Sequence, residues 1–425
     1  MSPPDRQAEG RFYIDLSVDT QFNSAWIFLA LAVSLAGFLL NSAVLLSAAM
    51  MLLVVSLTGW LWNRLSLSGL HYTRHLSERR AFLGETIELT LTVRNQKWLP
   101  LTWLDIVDTF PAGLPVDGQP LIPNPVTNLG QFRTFWTIGG YQRLERVFRV
   151  ECTERGYHAF GPVQISTGDG FGLFDHRAGR EDKQYLIVYP RLYPVSELRL
   201  PAKNPFGERR AQGLFEDPLR TAGIRRWQAE DSRRRIHWKA TARHAEMLSR
   251  LYEPSEEPQV LIFLNVATLP RHWQGTIPEL QERAISVAAS LAAACSEMRL
   301  PVGLVANGFL PNSDQALRLG PGRSPDQVVR ILELLAGVTP YASQPIEEML
   351  LQEATHLPWG ATILVVTAVA HDSLLVSLEE LRRAGRQVVL FTLAEEPPAR
   401  HLSGILVYHL PHLVADLVTA QEVTA

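Results

Sequence analysis

Forty-four consecutive residues without a charge, Thr20 to Asn63, constrain this chain more than any other feature. From Trp26 to Trp62 there are 37 residues, nearly all apolar or small. About 20 such residues cross a bilayer. A single helix of that length would run about 55 Å, too long for one crossing. Asn41-Ser42 is the one polar pair near the middle. Two transmembrane spans are therefore expected, near Ser24–Leu40 and Ala43–Trp62, within residues 24–63. Trp26, Trp60 and Trp62 fall at the outer ends, where interfacial aromatics collect. The run is too long for a signal peptide, and no A-x-A-like site ends it. A buried core hairpin is the alternative. Arg6 and Arg11 precede the run, and Arg64, Arg74, Arg79 and Arg80 follow it. The positive-inside rule then puts both flanks in the cytoplasm. Residues 1–23 form a cytoplasmic N-terminal segment, and the soluble domains are cytoplasmic at a multi-pass protein's inner membrane.

The remainder reads as a soluble chain. Of 425 residues, 40 are Lys or Arg and 43 Asp or Glu, a net charge of −3. That excludes a surface that is cationic throughout, and no nucleic-acid partner is expected. Two cysteines, Cys152 and Cys295, exclude a disulfide framework and an all-Cys metal cluster.

Residues 71–199 are β-rich. Thr86–Arg94 alternates strictly, with Ile87, Leu89, Leu91 and Val93 on one face, the mark of a half-buried strand. Further strands are expected at Leu101–Val107, Phe132–Ile138, Leu144–Cys152, Val163–Thr167 and Tyr185–Tyr189. Gly139-Gly140 marks a turn. Short strands without helical period suggest a β-sandwich-like domain. The run Arg155-Gly156 to Gly161-Pro162 has no G-K-[ST] ending, so it is not a phosphate loop. Tight turns account for it.

Residues 200–258 contain a basic segment. Ile224 to Arg250 holds seven Arg and one Lys against Glu230, Asp231 and Glu246, a local charge of +5. Asp231-Ser232 is an N-cap signal, and a short helical piece carrying Ile236, Trp238 and Lys239 is expected after it. Three readings stand. The arginines pair with carboxylates, Asp231 being nearest, and lock domains together with the tryptophans as packing. The segment faces an acidic partner protein. Or it binds nucleic acid or anionic headgroups.

The segment resembles the signature of the bacterial domain-of-unknown-function family 58, roughly R-x-Y-x-x-G-D-x-x-R-x-I-x-W-x-x-x-A-R. Arg225, Asp231, Arg234, Ile236, Trp238, Ala242 and Arg243 match it. Trp227 replaces the aromatic Tyr, and Glu230 replaces the Gly. Arg155-Gly156 with Gly161-Pro162, and Asp169-Gly170-Phe171-Gly172-Leu173-Phe174, resemble upstream elements of the family. The order of membrane hairpin, β domain and signature also matches.

After Pro258, apolar runs alternate with helical patterns. Strands are expected at Val260–Asn265, Val302–Ala306, Thr362–Thr367 and Gln387–Leu393. Helices are expected near Ile277–Arg299, Pro325–Ala336, Ile346–His356 and Ser373–Ala384. This is an α/β domain, residues 259–425, with a mostly parallel sheet. The resemblance implies a von Willebrand factor A-like domain, whose first loop carries D-x-S-x-S for a divalent cation. Here Asn265, Ala267 and Leu269 take those places. Such a cation needs carboxylate and hydroxyl oxygens, so no metal is expected. Thr339 and Asp372, in later loops, are the residual candidates.

No G-x-S-x-G, H-E-x-x-H, Walker A or Rossmann fingerprint is present. Cys152 and Cys295 lie in apolar surroundings and read as packing. His371-Asp372 reads as an N-cap Asp beside an exposed His. No catalytic residue and no cofactor is expected. The resemblance implies partnership with a MoxR-type AAA+ ATPase. The expected function is a membrane-anchored, non-enzymatic scaffold for assembly or maturation of other proteins. The partner contacts would be Arg225, Trp227, Asp231, Arg234, Ile236, Trp238, Lys239 and Arg243. A metal-dependent adhesion module and a membrane-tethered hydrolase are the alternatives.

Overall fold

The apolar stretch folds as two helices, α1 (Ala25–Leu39) and α2 (Ala43–Ser66). The turn between them lies at the expected polar pair. Asn41 takes a left-handed φ of 45°, which asparagine tolerates better than most residues. Ser42 N–H donates to Gly37 O at 3.1 Å and closes α1. A Cβ on Gly37 would come within 3.0–3.2 Å of Leu45 and Leu46, so the two helices meet there. Among the described residues, α2 is the one helix long and apolar enough to cross a membrane, and α1 is a shorter apolar helix. The burial of α2 is inverted relative to a core helix. Met50, Met51 and Leu57 are exposed, whereas Ala49, Ser56, Gly59, Asn63 and Ser66 are buried.

The computed structural model describes residues 25–413 except 119–120, 122–128, 169–174, 199, 202–204, 207–215, 229–230, 255–258, 270, 312, 314, 359, 395 and 399–401. The segment 169–174, Glu230, Ser24 and residues 1–23 therefore lie outside the described residues. The chain divides into two units, Met1–Tyr189 and Pro190–Ala425. The boundary sits ten residues before the sequence-based one at 199, immediately after the last strand of the β region.

Among the described residues of the first unit, ten strands follow α2. They are β1 (Leu70–Leu76), β2 (Arg80–Phe82), β3 (Thr86–Asn95), β4 (Leu101–Pro111) and β5 (Leu129–Ile138), then β6 (Arg143–Glu151), β7 (Gly156–Phe160), β8 (Val163–Gly168), β9 (Asp175–Arg180) and β10 (Gln184–Tyr189). Three sheets form, in the orders β1-β3-β6, β5-β4-β8-β9 and β2-β10-β7. They share one core, as a sandwich-like domain requires. Ile87, Leu89, Leu91 and Val93 are at most 3% exposed. Burial of each such side chain contributes about 1.5–3 kcal/mol.

One departure from apolar alternation holds this core. On β1 the inward residues are Leu70, Tyr72, Arg74 and Leu76. Arg74 Nη1 donates to both oxygens of Asp108 at 2.6 Å. Its Nη2 donates to Phe160 O at 2.7 Å and Asp182 O at 3.0 Å. Tyr72 Oη donates to Asp108 at 2.8 Å. Gly161 closes this node. Its φ is +103°, and a Cβ there would lie 2.3 Å from Asp182 O and 2.9 Å from Arg74 Nη2. The Gly161-Pro162 element of the sequence is thus a backbone requirement.

α2 is also fastened to this unit. Asn63 Nδ2 donates to Asp175 O at 3.3 Å, and Lys97 Nζ to Ser66 O at 2.5 Å. Ser66 Oγ donates to Asn63 O at 2.7 Å. These polar partners explain why the helix runs four residues past Trp62, the end read from hydropathy.

The second unit opens with a two-stranded ribbon, β11 (Glu216–Arg226) and β12 (Leu248–Pro254), around α3 (Trp238–His244). Then come β13 (Val260–Asn265), α4 (Pro278–Glu297), β14 (Val302–Phe309), β15 (Ala316–Gly322), α5 (Asp326–Gly337) and α6 (Ile346–Ala354). β16 (Thr362–Thr367), α7 (Asp372–Arg383), β17 (Gln387–Thr392) and β18 (Leu406–His409) complete it. The sheet order is β15-β14-β13-β16-β17-β18, parallel except that β15 runs antiparallel to β14. Every residue of β13 and β16 is buried, as expected where both faces are covered. Leu261 and Phe263 share a core with α6 and α7. The alternate residues point to the opposite face, and α4 also packs on β13. β15 and β18 were not anticipated. Gly320, Pro321 and Gly322 interrupt one pattern, and β18 is only four residues long.

Candidate functional site

The basic segment runs between two strands through a partly helical insertion, and the short helical piece expected after Ser232 is present, with Trp238 and Lys239 in α3. β11 continues to Arg226 and pairs with β12, with Arg226 opposite Leu248. Between them the chain makes a 3₁₀ turn, Arg233–Arg235, and the short α3. Ser232 caps the turn, its Oγ accepting from Arg234 N–H at 3.4 Å. His237 Nδ1 accepts from Ala240 N–H at 3.1 Å at the start of α3. Trp227 N–H donates to Met247 O, and His237 N–H to Leu248 O. The insertion is therefore stitched back onto the ribbon at both ends.

Its two signature charges meet. Arg225 Nη2 donates to Asp231 Oδ1 at 2.5 Å, and Gln228 N–H donates to Asp231 Oδ2 at 3.0 Å. That backbone N–H, together with the Arg225 guanidinium, holds the Asp231 carboxyl below its usual range. The carboxylate pairing read from sequence is present. The packing role read for the tryptophans holds only in part. Ile236 is buried at 4% and Trp227 is half-buried, but Trp238 is 67% exposed. Arg234, Lys239 and Arg243 are exposed as well. The buried members build the loop, and the exposed members are presented by it. Sequence reasoning missed the exposed apolar residues Ile224, Met247 and Leu251.

A second site lies where the sheet order reverses, between β13 and β16, the usual ligand crevice of open α/β sheets. Asn265 ends β13. Its Oδ1 accepts from Asn307 Nδ2 at 2.9 Å and from Ala267 N–H at 3.2 Å. Its Nδ2 donates to Thr367 Oγ1 at 3.1 Å. Asn307 Oδ1 accepts from Val266 N–H at 2.8 Å, and Thr367 Oγ1 donates to Val369 O at 2.8 Å. Ala267 is buried and Leu269 half-buried, and neither has a side-chain oxygen. The side-chain oxygens of this loop already meet protein donors, Asn265 Oδ1 as above and Thr268 Oγ1 by accepting from Ile277 N–H at 2.6 Å. A divalent cation of the kind the resemblance implies does not fit this loop. Thr339 Oγ1 is committed to Phe309 O, and Asp372 opens α7.

Among the described residues, no group of three or more His, Cys, Asp or Glu is placed to hold a metal. Burial pushes the Cys152 thiol up to about 11 and the Cys295 thiol up to about 12, which fits packing rather than reactivity. His371, not Asp372, takes the N-cap position of α7. A depression of about 630 Å³ on the first unit is lined by Thr86, Glu88, Asp117, Gly118, Arg149 and Glu151.

Residues 223–389 match the family described as "Protein of unknown function DUF58". The family resemblance read from the signature segment stands over those residues. An uncharacterized protein of Bacillus subtilis, YeaD, is 22% identical over 202 residues, 45% of this chain and 47% of that protein. The chain thus spans about half the length of this curated relative. Solved structures that cover 28% of the chain include a CARDB domain from Pyrococcus furiosus, at 9% identity and TM-score 0.18 over 91% of that chain. A cohesin module from Clostridium perfringens has 10% identity and TM-score 0.22 over 96% of its chain.

Proposed function

We propose that this protein is a membrane-anchored, non-enzymatic scaffold. Its signature ribbon would present Trp238, with Arg234, Lys239 and Arg243, to an acidic face of a protein partner. The observation that carries this reading is Trp238. A tryptophan two-thirds exposed on a loop built by an ion pair, caps and a ribbon suits a contact residue better than a core one. Exposed aromatic and arginine side chains are the usual anchors of protein interfaces. In this reading α1 and α2 cross the inner membrane as a hairpin, and the β domain that follows them and the second unit lie in the cytoplasm. The second unit is the von Willebrand factor A-like domain, which the antiparallel edge strand β15 and the central first strand β13 support. It works without a metal. The partner is a MoxR-type AAA+ ATPase, and the task is assembly or maturation of other proteins.

Crosslinking in native membranes, followed by identification of the captured proteins, tests this. The unaltered chain should capture an ATPase of that class, and Trp238→Ala should lose most of it. Capture of no ATPase in either case would sink the reading.

A further inference from the structure

Two exposed aromatic residues sit beside the point where α2 leaves its apolar run. Trp98, in the β3–β4 loop, is 68% exposed. Tyr141, in the β5–β6 turn, is 73% exposed, with a left-handed φ of 56°. The two loops form one rigid piece. Tyr141 N–H donates to Lys97 O at 3.0 Å. The buried Asn95 donates through Nδ2 to Leu99 O at 2.8 Å and Gly139 O at 2.9 Å. Gly140 lies so close that a Cβ would fall 2.2 Å from Trp98 O. This piece is tied to α2 through Lys97 Nζ and Ser66 O, and Gln96 N–H donates to Gly69 O at 2.8 Å.

Position along α2 then fixes depth. Ser66 lies four residues past Trp62, about 6 Å at 1.5 Å per residue. The headgroup layer beyond the hydrocarbon is about 5–8 Å thick on each side. Arg64, stacked over Trp60 at 5.4 Å, is the pairing expected where hydrocarbon gives way to headgroups. A loop hydrogen-bonded to Ser66 is therefore level with the headgroups. Tryptophan and tyrosine, with an apolar body and a polar tip, are the side chains that favour that layer. The exposed Arg94 flanks the same end, opposite Arg143 on β6, whose guanidinium pairs with Glu145.

We propose that the β3–β4 and β5–β6 loops are a second membrane anchor, with Trp98 and Tyr141 inserted in the headgroup layer of the leaflet that α2 leaves. This rests on the reading of α2 as a membrane span. The consequence is a β domain held against the bilayer at two points, with its orientation fixed.

The full chain, reconstituted in phosphatidylcholine–phosphatidylglycerol vesicles, allows a direct test. Single cysteines are introduced as Trp98→Cys, Tyr141→Cys, Leu57→Cys or Glu151→Cys and labelled with an environment-sensitive fluorophore. The native Cys152 and Cys295 are buried and do not compete. Glu151 is the control, at the far end of β3 and β6, about 30 Å away. Lipids carrying a nitroxide near the headgroup should quench positions 98 and 141 several-fold more than 151. Lipids with a deep nitroxide should quench position 57 most. Quenching at 57, with 98 and 141 no different from 151, overturns the second anchor and leaves the span intact. No quenching at 57 overturns the span and the anchor with it.

Discussion

Two arginine–aspartate pairs organise this protein in opposite surroundings. The Arg74 and Asp108 side chains are 4% and 1% exposed. Those of Arg225 and Asp231 are 36% and 7% exposed. In the first pair the guanidinium also meets two backbone carbonyls, so both charges are solvated by protein. The second has water at its edge and gains support from one backbone N–H. The same chemistry therefore serves different ends. A buried pair is expensive to halve, whereas a surface pair contributes little to stability. Arg225–Asp231 shapes the loop that carries Trp238, while Arg74–Asp108 holds the β domain closed.

The largest expected effect is that of Asp108→Ala. It strands a buried guanidinium and should cost about 3–5 kcal/mol, measured by denaturant unfolding. The double change Arg74→Met with Asp108→Leu should recover part of that loss. A cost for Asp108→Ala below that of Arg225→Ala would break the contrast between the pairs. Next is Arg225→Ala, expected to lower Tm several times less than Asp108→Ala yet weaken partner capture. Trp238→Ala should leave Tm unchanged and reduce capture at least as much. If capture tracked Tm across these variants, the segment would be structural only.

The smallest effect concerns the fastening of α2. Burial lowers the Lys97 ammonium from 10.5 to about 8. Between those values the unfolded chain holds more protons than the folded one, so stability rises with pH across that window. Lys97 is half-buried, and the slope should be shallow. Lys97→Met should flatten it in thermal melts taken from pH 8 to 10.

Much of this was legible where one pattern dominated. Hydropathy located α2 and the Asn41-Ser42 turn, because lack of charge over so long a run has few other causes. Strict alternation located β3, and continuous apolar runs located β13 and β16. Local charge density drew attention to Arg225 and Asp231, which lie six residues apart and meet. Arg74 and Asp108 gave no such signal. They are thirty-four residues apart, and an arginine on the inner face of β1 breaks the very alternation that would have marked the strand. The ribbon of β11 and β12 was hidden for a related reason. Arg226 and Arg250 stand on exposed strand positions, whereas the N-cap signal at Asp231-Ser232 did locate the short helical piece, the 3₁₀ turn and α3. Trp238 matched the signature, but a motif reports identity and not exposure. Hydropathy marks the end of the apolar run at Trp62, whereas the helix α2 continues to Ser66, where its last turn is hydrogen-bonded to a distant loop.

The knot of Asn265, Asn307 and Thr367 carries a further lesson. None of these three side chains titrates in the physiological range, undergoes redox chemistry or requires an ion. The geometry at the carboxyl ends of β13, β14 and β16 is therefore set once, at folding, and is indifferent to chelators, acidification or oxidants acting on those groups.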